Sequence, residues 1–143
     1  MIEKKYYGFH LTFGGKLSAE EMTAWLEESR EALQGCKRGF GVFVDMRELE
    51  LNSPDVQSIF EAGQRYYKDM GMARSVVILR NPTLAIQFKR IALQSDIYDY
   101  ERYVDASLNE NWEEIGLKWV IEGIDPDADL REKIAVRIDQ GIR

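Results

Sequence analysis

The chain is predicted to fold as an α/β domain with a mostly parallel central sheet. Four strand-helix units pack their helices against that sheet, and a C-terminal amphipathic helix follows them. Three observations carry this prediction. Short apolar runs of strand composition alternate four times with longer stretches of helical spacing. The run Phe40–Val44 is continuously apolar, as in a central parallel strand buried on both faces. Two helical stretches open with one device, a capping side chain followed by proline, at Ser53-Pro54 and Asn81-Pro82.

Each element follows from local chemistry. Tyr6–Phe13 is rich in aromatics and reads as the first strand, its direction at the sheet edge left open, with a turn at Gly14-Gly15. Ser18 and Glu21 form a capping box ahead of Met22, Trp25, Leu26 and Leu33, which share one helix face ending near Gly35. Phe40–Met46 is the second strand and runs into Asp45, Arg47 and Glu48. Val56, Ile59, Phe60, Gly63, Tyr67 and Met70 then mark a helix that Gly71 stops. Arg74–Arg80 is the third strand, followed by a helix with Leu84, Phe88, Ile91 and Ala92 on one face. Arg102–Ala106 is a short fourth strand. Ser107 and Glu110 have capping-box spacing before Trp112, Ile115, Gly116 and Trp119. After Gly123, with Asp125 or Asp127 as cap, Leu130, Ile134, Ile138 and Ile142 recur every fourth residue. Residues 1–124 therefore read as one domain and 125–143 as a helical appendage.

Composition narrows the function classes. The formal net charge is −6 and no basic footprint is visible, which argues against nucleic acid as partner. No apolar run approaches the roughly 20 residues of a membrane span, and the N-terminus has no apolar stretch of signal-peptide length, so a cytoplasmic protein is expected. A single cysteine, Cys36, and a single histidine, His10, exclude an intrachain disulfide and a Cys/His zinc cage. No EF-hand spacing is present, so neither a metal nor a cofactor is expected. With no nucleophile paired to a base, the expectation is a protein that is not an enzyme.

The order of elements resembles the STAS and STAS-like domains, the fold of the bacterial anti-sigma-factor antagonists. FGGKLSAEEMTAWLEESREAL resembles their first turn and helix. GVFVDMRELEL resembles their second strand, which ends in Asp. ARSVVILRNPTLAIQFKRIA resembles the third strand and its helix, and RYVDASLNENWEEIGLKWV the last strand and a closing helix with a late Trp. The resemblance spans about Tyr6 to Val120 and is to stand-alone bacterial members. It implies a regulatory module acting through contact with another protein, at the start of the second helix, Ser53 to Gln57. Phospho-regulated members carry an Asp-Ser-Ser-Gly type motif there. This chain has Asn52-Ser53-Pro54-Asp55, so Ser53 reads both as a candidate phosphosite and as a helix cap.

A second expectation comes from the geometry of open parallel sheets, in which ligands bind beyond the carboxyl ends of the strands. Asp45, Arg47, Asn52, Ser53, Arg80 and Asn81 would share that rim, with Asp105 and Ser107 nearby. Helix N-termini there would suit a small anionic ligand, and the resemblance of STAS-like sheets to lipid-carrier modules implies a lipid-like one as well. His10 reads as a structural strand residue and Cys36 as a loop thiol. Two further stretches suit interfaces. One is SDIYDYERY, where three tyrosines interleave with acids and serve either an interface or as cover for the sheet edge. The other is the stripe Leu130, Ile134 and Ile138, which must be hidden in cis or in a homodimer.

Overall fold

The computed structural model describes residues 1–50 and 53–128. Its element order is β1 (Ile2–Lys5), β2 (Gly8–Gly15), α1 (Ala19–Ala32), β3 (Gly41–Leu49), α2 (Pro54–Asp69), β4 (Arg74–Leu79), α3 (Pro82–Leu93), β5 (Glu101–Asp105) and α4 (Trp112–Leu117). A 3₁₀ turn, Asp96–Asp99, precedes β5, and a π-helical turn, Lys118–Glu122, continues α4. The protein is thus α/β with a mostly parallel five-stranded sheet. Asn52, Leu130, Ile134 and Ile138 lie outside the described residues, as does the predicted C-terminal helix beyond Ala128.

The sheet runs β1-β2-β3-β4-β5 in sequence order. β1 is antiparallel to β2, and the other neighbours are parallel. Right-handed crossovers that always step the same way keep their helices on one face. Residues of α1, α2 and α3 accordingly share one core with Phe9, Leu11, Val42, Val44, Val77 and Leu79. The alternate side chains Phe43, Val76, Ile78 and Val104 face the opposite way and pack under Trp112, Ile115 and Trp119. The centres of β3, β4 and β5 are therefore buried on both faces, which is why β3 and β4 read as continuous apolar runs, while β2 keeps Thr12 and Gly14 exposed.

Local chemistry sets most helix ends. The Ser18–Glu21 capping box forms in both directions. Ser53 Oγ accepts from the Val56 N–H at 3.4 Å, and Asn81 Oδ1 from the Leu84 N–H at 3.1 Å, each ahead of a proline in the first turn. One strand is added to the expected elements and three expectations are corrected. Residues 2–5 form a strand, hairpinned onto β2 through Tyr6 and Tyr7. Gly14 and Gly15 are the last residues of β2 rather than a turn, pairing with Glu48 and Leu49. β3 does not end at its charges but runs on to Leu49, with one extra residue against β2: Thr12 pairs with Asp45 and Gly14 with Glu48. The Ser107–Glu110 box does not form. Ser107 Oγ donates instead to Asp105 Oδ1 at 2.6 Å, and α4 starts only at Trp112, after Asn111.

Candidate functional site

The strand-end rim is assembled, but its charges engage one another. Arg47 grips Asp45 with two side-chain bonds, Nε to Oδ1 at 3.0 Å and Nη2 to Oδ2 at 2.9 Å, and its backbone N–H adds a third. The guanidinium lies 4.0 Å from the centre of the Trp112 ring. Burial works to raise the Asp45 pKa, but the hydrogen bonds and charge of Arg47 outweigh it and hold the carboxyl below its ordinary value. Arg80 Nη1 donates to Glu48 Oε1 at 2.5 Å across the exposed rim. Ser53 and Asn81 cap their helices. The rim cations are thus occupied by carboxylates, and the arrangement offers an incoming anion little that is not already satisfied.

Neither His10 nor Cys36 is hydrogen-bonded to these rim charges. The His10 imidazole stacks on Phe43, ring centres 5.2 Å apart, on the α4 side of the sheet. Cys36 is half-buried in the loop after α1 and touches the edge of the larger core. Among the described residues, no group of three or more His, Cys, Asp or Glu could hold a metal ion. No helix among them is long and apolar enough to cross a membrane.

A cavity of about 150 Å³ lies on the other face of the sheet, between α2 and α3. Val56 and Phe60 of α2, Phe88 and Ala92 of α3, and Met46 and Val77 of the sheet give it apolar walls. Gln57 and Glu61 stand exposed at its mouth, and Gln64, Glu101 and Tyr103 complete the lining. No Lys, Arg or His contributes to it among the described residues.

One polar cluster sits at the floor. Glu101 opens β5 and is only 3% exposed. Its register partner on β4 is Ser75, whose Oγ donates to Glu101 Oε1 at 2.8 Å. Tyr103, two residues along the same strand and so on the same face, donates its hydroxyl to Oε2 at 2.5 Å. Gln64 reaches down from α2, and its Nε2 donates to both oxygens, at 3.3 and 3.4 Å. Every group on the carboxyl is neutral. Burial pushes its pKa above the ordinary carboxylate value, and the three donors offset only part of that rise. The Tyr103 hydroxyl is pushed strongly upward too, first by burial and then by the charge of Glu101.

Sequence reading missed this cluster. Glu101 and Tyr103 belong to the tyrosine-acid stretch that suits an interface or a covered sheet edge, and Ser75 to an apolar strand. The available signal was alternation: Ser75, Val77 and Leu79 share one face of β4, and Glu101 and Tyr103 one face of β5. A polar residue on the inward face of a buried strand requires a partner.

No family model matches the chain, and no curated protein matches it either.

Proposed function

We propose that residues 1–124 form a STAS-like binding module, without catalytic chemistry of its own, that holds a small, mainly apolar molecule between α2 and α3. The observation that carries this reading is the cavity itself: apolar walls converging on one buried polar cluster, the usual make-up of a small-molecule site. A cavity near 150 Å³ suits a body about the size of one aromatic ring. Binding is favoured over catalysis because Ser75, Tyr103 and Gln64 all donate to a single acceptor, which is how a buried carboxyl is held in place. The repeated strand-then-helix order supports the STAS-like part of the reading.

Docking of a protein partner at the start of α2 is the second reading. It is favoured by the exposure of Ser53, Pro54 and Asp55, directly ahead of Val56 and Gln57, which line the cavity. Ligand and partner would then meet the same helix.

Titration with toluene, followed by NMR, tests the main reading. The methyl signals of Val56, Val77 and Ala92 should move together and saturate. Unmoved signals at the solubility limit of toluene would overturn it. A stable complex with another protein in native mass spectrometry, with no small molecule retained, would favour the second reading.

A further inference from the structure

The cavity carries its own charge signature. Its two ionisable carboxyls, Glu61 at the mouth and Glu101 at the floor, are both acids, and no basic side chain lines it among the described residues. Buried charges in proteins are ordinarily paired. Arg102 is next in sequence, but its guanidinium lies among the Tyr98 and Trp119 rings and bonds Asp125, so it is committed elsewhere. The donors on Glu101 are two hydroxyls and one amide, and the amide makes the weakest contacts, both beyond 3.2 Å. A carboxyl has about four acceptor sites, and a compact cation with several N–H groups could take over the place that Gln64 fills poorly. A carboxylate ligand would instead bring a second negative charge against the floor.

We propose that the cavity selects an amine: a primary or secondary ammonium group that meets Glu101, carried on an apolar body about one ring in size. This rests on the binding reading above and narrows it to a ligand class. Glu101 supplies the charge, Gln64 yields or turns toward the mouth, and the walls from α2 and α3 enclose the apolar body.

The test is a matched series on the unaltered protein: 2-phenylethylamine, 2-phenylethanol and phenylacetate, titrated by NMR at one pH and one ionic strength. The amine is expected to bind about tenfold tighter than the alcohol, the ratio that roughly 1.4 kcal/mol of added charge-assisted bonding would give. Phenylacetate is expected to bind more weakly than either. Glu101→Gln should erase the amine's lead over the alcohol, so that the ratio of the two affinities falls to about one. If amine and alcohol bind equally, or if the amine keeps its lead in Glu101→Gln, the amine assignment is overturned while the binding site stands. If none of the three moves the cavity signals, the binding reading falls with it. The series on the unaltered protein decides the question even if Glu101→Gln folds poorly.

Discussion

Arg102 and Asp125 meet fork to fork, Nε to Oδ1 at 2.8 Å and Nη2 to Oδ2 at 3.1 Å, with the arginine only 2% exposed. The remaining guanidinium nitrogen donates to the carbonyls of Tyr98 and Glu101, and the planar group lies over the Tyr98 and Trp119 rings. One buried cation thus fixes four things: the 3₁₀ turn, the edge strand β5, the π-helical turn and the segment after Gly123. Asp127 adds a second tie, accepting from Tyr98 Oη at 2.5 Å and from Lys89 at 3.1 Å.

Removing the acid should therefore cost more than a surface pair would. Asp125→Ala leaves the Arg102 charge buried without its counter-ion, a loss of about 3 kcal/mol. Urea unfolding of the variant checks this. A loss below about 1 kcal/mol, the range of exposed pairs, would mean that the pair contributes as a surface pair does.

Gly63 occupies the middle of α2, where its backbone freedom is a handicap. The reason for it lies opposite. Trp25 of α1 stacks on both Phe60 and Tyr67, ring centres 5.9 Å away in each case, and its ring rests over Gly63. A Cβ at Gly63 would come within 2.2 Å of that ring. Gly63→Ala gains about 1 kcal/mol of helix propensity but forces a locked indole to move, at roughly 1–3 kcal/mol. The expected outcome is a net loss of about 1 kcal/mol with an altered near-UV signal from Trp25. Because Phe60 also walls the cavity, toluene binding should weaken in the same variant.

Ser53 is the one rim residue whose two sequence readings can be separated by stability. Its Oγ accepts from Val56 N–H at 3.4 Å, a long cap, so Ser53→Ala should cost about 0.5–1 kcal/mol in thermal or urea unfolding. Ser53→Asp should retain stability, because a carboxylate caps the same N–H and favours the positive end of the helix. A Ser53→Asp variant that unfolds as readily as Ser53→Ala would contradict the capping role.

What was legible in the sequence divides by range. Ser53-Pro54 and Asn81-Pro82 announced α2 and α3 because cap and proline act within one turn, independently of the rest of the fold. The apolar centres of β3 and β4 were legible because both their faces are buried. β1 was not, since Ile-Glu-Lys-Lys is a polar edge strand whose only evidence is pairing with Gly8–Leu11. Ser107 and Glu110 had the right spacing for a cap, yet Asp105 claimed the serine, a competition that spacing cannot reveal. Asp45, Arg47, Arg80 and Asn81 lie toward the carboxyl ends of β3 and β4, but the pairing of Asp45 with Arg47 and of Glu48 with Arg80 depends on β3 running past its charges. The cavity was hidden because it needs α2 and α3 to stand apart over the sheet.

Asp45 and Glu101 give stability two opposite responses to pH. Asp45 is held below its ordinary value because Arg47 outweighs the effect of burial, so the folded state prefers the ionised form. Its contribution is present above the ordinary aspartate value and lost as pH falls through the lowered one. Glu101 is the reverse. Burial raises its pKa, so the folded state binds the proton more tightly than the unfolded chain does. Stability therefore declines as pH rises from the ordinary glutamate value through the raised one. The two carboxyls face opposite sides of the sheet and share no bonding partner, so their effects should add. Urea unfolding across the acidic to mildly alkaline range should show Glu101→Gln free of the upper decline and Asp45→Asn free of the corresponding acid loss. A Glu101→Gln variant that keeps the full decline would place its origin elsewhere. If the cavity takes an amine, saturating 2-phenylethylamine should also reduce the decline in the unaltered protein, because a bound ammonium favours the same carboxylate that burial opposes.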